Sequence, residues 1–362
     1  MKEVTFLINT LDSGGIENYL LRFLQYYNGE IKPIVICKGG AFGDLESEYR
    51  KIKHIKLLKK NIGFFSLTSY WDLFKYFKNN RVNIVCDFTG NFAGIVVLMA
   101  RLGRVQRRVA FYRGSTDRFS PSILRNMYNK FCNLLVRNNS TLILSNSKFA
   151  LLNYFGVENF ENNSKYDVVN NGIDFEKFIS LDTVINRKMF DIPDNAYVIG
   201  HTGRYTTAKN HKVIIEVFSN LVNENNNIYL ILCGKGTKEI ILNTKLLKER
   251  VKVLGYRTDV PSILNLMDLY FFPSLTEGQP NALIEAMIMG LPFIASDISS
   301  IKETVPEDQY QYLFDPNDVI GFSDGVKRKI AEGSSKQNDE ISNWAKGKFN
   351  HNTLFKKFFD YL

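Results

Sequence analysis

Short apolar runs alternate with helix-length amphipathic stretches along the first half of this chain of 362 residues. Apolar runs of this length, rich in β-branched residues, are typical of buried strands. Because strands separated by helices are joined by crossovers, the pattern predicts a parallel, doubly wound α/β sheet. The predicted strands are Val4–Ile8, Ile34–Cys37, Val82–Asp87, Val109–Tyr112, Leu142–Ser145 and Val168–Val169, and the predicted helices include Glu17–Tyr27, Thr68–Lys78, Phe92–Arg101 and Ile123–Arg137.

The same alternation restarts near residue 198 and predicts a second α/β unit, for which the chain is long enough. We place a first domain at 1–175, a polar linker at 176–195, a second domain at 196–345 and a final helix within 346–362. Two such units in series predict a ligand cleft between them, at the carboxyl ends of the strands. The strands of the second unit are predicted at Val198–His201, Tyr229–Cys233, Val251–Leu254, Leu269–Phe272 and Phe293–Ala295.

Composition narrows the class of protein. No apolar run is long enough to span a membrane, and the N-terminus leads directly into a predicted strand without a signal peptide. The four cysteines have neither disulfide nor zinc spacing, so we expect core residues in a reducing compartment. Residues 1–180 hold 25 Lys and Arg against 15 Asp and Glu, an excess of +10, whereas residues 181–362 are nearly neutral. In the absence of a nucleic-acid-binding signature, this basic half favours anionic lipid as a partner.

The most specific segment is the predicted strand–turn–helix–strand between residues 269 and 297. Its helix begins at Pro280 and Asn281 and ends at Gly290. The unpaired N–H groups and the positive dipole end of a helix start form an anion site. Glu285 lies roughly 7 Å along the axis, about the step from a diphosphate to a ribose. Glu277, before the helix, would face the other end of such a ligand.

This segment, with Gly278, Pro280, the Glu285-Ala-Met run and Gly290-Leu-Pro, resembles the Glu-x7-Glu signature of glycosyltransferase family 4. These group 1 glycosyl transferases are retaining, nucleotide-sugar-dependent enzymes, and the resemblance extends over most of the chain. It implies the GT-B fold, with two Rossmann-like doubly wound parallel-sheet domains facing a central cleft. It also implies a C-terminal helix that packs back on the N-terminal, acceptor-side domain. No cofactor and no metal are expected, and a UDP-sugar is favoured over a GDP-sugar as the donor.

The resemblance also assigns site residues. Arg204 and Lys209 would clamp the donor diphosphate in place of a metal, Glu277 would hold the sugar and Glu285 the ribose. For Lys235 and Arg257 an ordinary solvated charge is an equal alternative. The other donor-binding candidates are Gly14 and Gly15 in the first domain, and Gly203, Gly234, Tyr256, Gly278, Gln279, Pro280, Asn281, Ala282 and Leu283 in the second.

One motif departs from the family pattern. Many family members carry a histidine near the reacting sugar, where this chain has Phe111, Tyr112 and Arg113. Arg113 is predicted to supply a positive charge there instead. With Glu277, Arg204 and Lys209 it completes the expected catalytic set. Elsewhere, the turn at Asn170–Asp174 resembles the family's hinge, and Ser147 is predicted to cap a helix.

The sequence therefore predicts an enzyme that moves a sugar from a nucleoside diphosphate to a hydroxyl of a glycan or lipid-linked saccharide, in cell-surface polysaccharide synthesis. A sugar-nucleotide epimerase of the same fold and a non-catalytic donor-binding subunit are the alternatives.

We expect a cytoplasmic protein at the inner face of the membrane. The first candidate surface is the basic run Arg50–Lys60 with Phe64 and Phe65, for which an ordinary solvated helix end and strand is the alternative. A second candidate lies on the helix at 123–137, where Arg125, Lys130 and Arg137 accompany the apolar or aromatic residues Leu124, Tyr128, Phe131 and Leu135.

Overall fold

The computed structural model describes residues 1–63, 66–114, 123–157, 163–179, 185–224, 227–333 and 338–362. Phe64 and Phe65, which sequence analysis places in a membrane-contact loop, lie outside this range. The chain divides into two compact units. Unit 1 comprises Met1–Gly172 and Asn352–Leu362, and unit 2 comprises Ile173–His351.

Unit 1 is built on a seven-stranded parallel sheet in the order β3-β2-β1-β4-β5-β6-β7. Its strands are β1 (Lys2–Ile8), β2 (Ile31–Cys37), β3 (Lys56–Lys59), β4 (Ile84–Asp87), β5 (Arg107–Tyr112), β6 (Leu142–Ser145) and β7 (Tyr166–Val168). Its first six helices are α1 (Gly15–Tyr26), α2 (Glu46–Arg50), α3 (Leu67–Asn79), α4 (Gly94–Leu102), α5 (Ile123–Asn139) and α6 (Lys148–Phe155). The strand order reverses between β1 and β4, which places a crevice at their carboxyl ends.

Unit 2 is built on a six-stranded parallel sheet in the order β10-β9-β8-β11-β12-β13. Its strands are β8 (Tyr197–Thr202), β9 (Ile228–Cys233), β10 (Val251–Gly255), β11 (Leu269–Phe272), β12 (Phe293–Ser296) and β13 (Leu313–Phe314). Its helices are α7 (Glu176–Ile179), α8 (His211–Glu224), α9 (Lys245–Arg250), α10 (Val260–Leu264), α11 (Asn281–Ile288), α12 (Ser299–Lys302), α13 (Val319–Ala331) and α14 (Asp339–Lys348). The order reverses between β8 and β11, so the switch point falls beside α11.

Helices cover both faces of each sheet, which explains why the central strands are apolar throughout rather than alternating. All residues of β9, β11 and β12 are buried. The four cysteines are buried free thiols, three of them on strands and Cys132 on α5, as their scattered positions predict.

The last helix, α15 (His351–Tyr361), belongs to the core of unit 1. Phe355 and Phe358 are buried against Tyr19 and Phe23 of α1, and the rings of Phe23 and Phe358 lie 4.6 Å apart. The chain therefore leaves unit 1 after residue 172 and returns to it with an amphipathic helix.

The predicted strands of both units are present, and Ser147 caps α6 by accepting from the Ala150 N–H at 3.1 Å. Two short edge strands, β3 and β13, were not predicted. Among the described residues, no helix combines the length and hydropathy that crossing a membrane requires.

Candidate functional site

The loops after β8, β9 and β10 pack against one another at the carboxyl edge of the sheet in unit 2. The Gly203 N–H donates to the Cys233 carbonyl at 2.8 Å, and the Gly234 N–H donates to the Gly255 carbonyl at 2.7 Å. Gly234 has φ 153°, and a Cβ there would lie 2.0 Å from the Gly203 carbonyl oxygen. Because only glycine fits this approach, the glycines at 203 and 234 set the shape of the edge.

A second set of bonds joins the loop after β8 to the loop after β11. The Leu275 N–H donates to the Ala208 carbonyl at 2.8 Å. Asn210, at φ 53°, donates through Nδ2 to the carbonyls of Pro273 at 3.1 Å and Pro316 at 2.8 Å. These contacts fix the positions of the side chains that precede α8 and α11.

Lys209 and Glu277 meet where these two loops join. Lys209 Nζ lies 2.5 Å from Glu277 Oε1, and the two side chains are 20% and 11% exposed. The ammonium also lies 4.7 Å from the centre of the Phe272 ring. The structure thus brings together a cation and a carboxylate that sequence analysis assigned to one site.

Arg204 lies on the same loop as Lys209 but, unlike Lys209, is not paired with a carboxylate that the structure describes. Its side chain is exposed, and it forms no hydrogen bond or ion pair with any residue the structure describes. An unengaged guanidinium and an oriented ammonium on one loop can bind an anion from two sides.

The start of α11 borders this pair of loops. Pro280 is the N-cap residue and supplies no side-chain hydrogen bond to the helix start. Glu285 is the fifth residue of the helix and is partly exposed, whereas Leu283 is fully buried in the core. Leu283 can therefore offer only backbone atoms to a ligand. Of the neighbouring candidates, Gln279 is buried, and Gly278, Asn281 and Ala282 are partly exposed.

Two buried histidines behind the loop were not assigned a role from the sequence. His201 Nδ1 lies 2.9 Å from the Phe271 carbonyl, and its ring contacts that of His211 at 5.0 Å. Burial lowers the pKa of His201 well below its usual value. Burial and the nearby Lys209 lower the pKa of His211 to about 4. Both rings are therefore neutral at pH 7, so the positive charge of the site comes from Lys209 and Arg204.

The remaining donor-side candidates lie in the next two loops. Lys235 and Tyr256 are exposed. Arg257 pairs with Asp259 through two hydrogen bonds, Nε to Oδ1 at 2.8 Å and Nη2 to Oδ2 at 2.5 Å. This bond raises the pKa of Arg257 and lowers that of Asp259. The pair explains the position of Arg257 without a ligand, so its binding role stays a prediction.

Unit 1 has a cavity of about 460 Å³ at the carboxyl edge of its sheet. A buried lysine, Lys38, forms part of its wall and donates to Asp87 Oδ2 at 3.2 Å, Thr89 Oγ1 at 2.7 Å and the Phe92 carbonyl at 3.1 Å. All three ammonium hydrogens are thereby used, which compensates for burying the charge. Nothing in the sequence pattern indicates this pair, because its members are 49 residues apart.

Arg113 lines the same cavity. Its guanidinium lies 3.6 Å from the centre of the Tyr19 ring, and Nη2 donates to Asn171 Oδ1. Burial lowers the pKa of Arg113 to about 10, so the group is still charged at pH 7. Nη1 has no hydrogen-bond partner within the described protein. Arg113 therefore presents to the cavity a charged group whose Nη1 donates to no residue that the structure describes.

Gly14 and Gly15 lie in unit 1, where Gly14 is the N-cap residue of α1. A Cβ on Gly14 would meet Glu17 Oε2 at 2.4 Å, so the carboxylate of Glu17 lies against the helix start. Glu17 also lines the cavity with Arg113. Within the part of the chain that the structure describes, no cluster of three or more His, Cys, Asp or Glu could hold a metal ion.

Both the sequence and the fold of this chain are similar to those of known glycosyltransferases. Residues 196–332 match the family model described as Glycosyl transferases group 1. An Escherichia coli UDP-Gal:alpha-D-GlcNAc-diphosphoundecaprenol alpha-1,3-galactosyltransferase is 27% identical over 315 residues, covering 81% of this chain and 79% of the relative. The Staphylococcus aureus capsular polysaccharide biosynthesis glycosyltransferase CapH is 26% identical over 318 residues, covering 86% and 84%.

The crystal structure of Anabaena HepE in complex with UDP and glucose superimposes with a TM-score of 0.78 at 18% identity, covering 99% of both chains. The fold is therefore GT-B, built from two Rossmann-like units, as the sequence predicted. The match of residues 196–332 to the group 1 glycosyl transferases confirms the predicted resemblance at that level. The narrower assignment to family 4 stays a prediction.

Proposed function

We propose that this chain is a retaining, metal-independent glycosyltransferase of family 4. Its donor would be a UDP-sugar, and its acceptor a hydroxyl of a glycan or lipid-linked saccharide in cell-surface polysaccharide synthesis. The observation that carries the proposal is the Lys209–Glu277 ion pair, which joins the loop that carries Arg204 to the loop that leads into α11. The names of the relatives support it, since one uses UDP-Gal and a diphosphoundecaprenol acceptor and another acts in capsule biosynthesis.

The donor half of the mechanism follows from unit 2. Arg204, Lys209 and the N-terminus of α11 bind the diphosphate, and Glu285 accepts hydrogen bonds from the ribose hydroxyls. Glu277 orients Lys209 and accepts hydrogen bonds from the sugar. As the bond between C1 and the phosphate oxygen breaks, negative charge grows on the diphosphate, and the two cations stabilise it. In metal-dependent enzymes a bound divalent metal ion stabilises this negative charge.

Transfer takes place on one face of the sugar. The departing phosphate oxygen accepts the proton of the acceptor hydroxyl while the new C1–O bond forms on the face that the diphosphate leaves. The configuration at C1 is retained without a covalent intermediate, so no carboxylate nucleophile is needed.

The acceptor would bind in the cavity of unit 1. Its charged Arg113, with a free Nη1 donor, suits the hydroxyl and anionic groups of a saccharide diphosphate. Arg113 would take over the electrostatic role of the histidine that many family members carry. The Lys38–Asp87 pair would keep the wall of the cavity rigid.

We propose a cytoplasmic location with peripheral attachment to the inner face of the membrane, because a lipid-linked acceptor is confined there. The basic charge of unit 1 supports this attachment. The run Arg50–Lys60 is partly neutralised within the fold, since Arg50 pairs with Glu46 and Lys51 with Glu48. Its role in membrane binding is a proposal that charge reversal at Lys56, Lys59 and Lys60 tests.

The test is a transfer assay with individual UDP- and GDP-sugars and a bacterial lipid extract, with and without EDTA. We expect one nucleotide sugar to be consumed, with one sugar added to a lipid acceptor and the rate preserved in EDTA. Conversion of the donor into another nucleotide sugar without acceptor would identify an epimerase instead. Tight UDP binding without turnover on any acceptor would identify a donor-binding subunit. Loss of activity in EDTA, restored by Mg²⁺ or Mn²⁺, would contradict the metal-free mechanism.

A further inference from the structure

The outer face of α5 in unit 1 is apolar. Its side chains Ile123, Leu124, Met127, Phe131 and Leu134 are 82%, 79%, 63%, 52% and 52% exposed. The last four are three or four residues apart, so they form one stripe along the helix. From Ile123 to Leu134 the stripe is roughly 17 Å long. We call these five residues the α5 stripe.

The inner face of the same helix is less apolar than the outer one. Its buried residues are Asn129, Cys132, Val136 and Asn139. A helix that only covers a sheet has the opposite polarity, with large apolar side chains inside and polar ones in water. A cluster of exposed apolar side chains is typical of a surface that binds a protein, a membrane or a ligand.

The charges of α5 indicate what it binds. The helix has no Asp or Glu and carries Arg125, Lys130 and Arg137. Lys130 is exposed and forms no ion pair with the residues described here. An apolar stripe flanked by cations is typical of a helix that lies in the headgroup region of an anionic bilayer.

We propose that the α5 stripe is the surface through which unit 1 docks on an anionic membrane. This inference rests on the proposed function, because it supplies the route to a lipid-linked acceptor. Asn129, on the inner face of α5, lines the cavity that contains Arg113. A docked α5 therefore brings this cavity to the level of the headgroups, where the saccharide of a lipid-linked acceptor lies.

A second copy of the chain fits the stripe less well than a bilayer does. A symmetric contact through α5 brings the same cations of two copies together, and the helix offers no carboxylate to pair with them. Anionic lipid headgroups supply the missing negative charge.

The experiment is flotation of the full chain with vesicles of phosphatidylcholine alone or mixed with phosphatidylglycerol. The test variant combines Met127→Ser, Phe131→Ser and Leu134→Ser. A matched control combines Met189→Ser, Ile241→Ser and Ile320→Ser, which are 64%, 79% and 74% exposed in unit 2. Each stripe substitution should weaken binding about threefold to tenfold, hence the triple at least about thirtyfold. The control should bind as the wild type does.

Further measurements separate this inference from its alternatives. Lys130→Glu should weaken binding to anionic vesicles and leave binding to neutral ones unchanged. UDP affinity, and transfer to a water-soluble short-chain acceptor, should be unaffected by the stripe variant, so a failed docking surface is distinguished from a failed enzyme assignment. Flotation of the stripe variant equal to the wild type would overturn the inference. So would a dimer, detected by sedimentation, that the stripe variant alone dissociates.

Discussion

The ion pair between Lys209 and Glu277 allows the roles of the two residues to be separated. Glu277→Gln removes the charge while keeping the shape and an acceptor for the ammonium. Breaking a fully buried pair costs about 3–5 kcal/mol and a surface pair about 0–1 kcal/mol. With side chains 20% and 11% exposed, the pair lies between these limits, so we expect a loss of about 1–2 kcal/mol in the free energy of unfolding. For a domain of this size that is roughly a 2–8 °C fall in the melting temperature.

The ligand measurements should diverge. UDP lacks the sugar that Glu277 is proposed to hold, so Glu277→Gln should change the Kd for UDP less than about threefold. Its kcat should fall at least about 100-fold, because an interaction made with the reacting sugar is lost. Lys209→Met removes a charge-assisted contact worth about 1.5–3 kcal/mol and should raise the Kd for UDP roughly 10- to 100-fold.

The assay is calorimetry with UDP, combined with steady-state transfer kinetics and thermal unfolding. Glu216→Gln, an exposed position on α8, is the matched control and should leave all three unchanged. Equal losses of UDP affinity in Glu277→Gln and Lys209→Met would refute the reasoning, because Glu277 would then act only by positioning Lys209.

Three further substitutions test the rest of the donor side. Arg204→Ala should leave stability within about 0.5 kcal/mol and weaken UDP binding roughly 10- to 100-fold in calorimetry, whereas Lys245→Ala, also at an exposed position, should leave both stability and UDP binding unchanged. Glu285→Gln should weaken the binding of UDP more than the binding of inorganic pyrophosphate, which lacks the ribose. An equal effect on both ligands would contradict the ribose contact. Burial holds the pKa of His211 at about 4 in the folded chain, below the value of 6.5 for a free imidazole. As pH falls below 6.5, the imidazole is therefore protonated in the unfolded chain before it is protonated in the folded one. Stability is therefore lost between pH 6.5 and 4, and His211→Phe should reduce that loss in thermal unfolding.

Much of the fold could be predicted because the signals are local. The β11–α11–β12 segment has apolar runs of strand length on either side of a helix that begins after Pro280, and the structure has each element within a residue or two of its predicted position. The missed strands lack such signals. β13 has only two residues. β3 pairs with β2 but lies inside the basic run Arg50–Lys60, where the lysines at both of its ends leave no apolar run of strand length.

The site was predictable in part for the same reason. The glycines and the Arg204 and Lys209 loop follow a strand that the pattern identifies. The pairing of Lys209 with Glu277 and of Lys38 with Asp87 depends on contacts across 68 and 49 residues, which only the sheet order brings together. No periodicity in one sequence carries that information.

The most direct test of the whole account is the product of the transfer reaction. The wild-type protein is incubated with one UDP-sugar and a purified lipid-linked acceptor, and the product is analysed by mass spectrometry and proton NMR. The account predicts one added sugar per acceptor, an equal amount of free UDP, and the same configuration at C1 as in the donor. An inverted C1 would contradict the proposed mechanism, and an unmodified acceptor after exposure to every common nucleotide sugar would contradict the assignment as a glycosyltransferase.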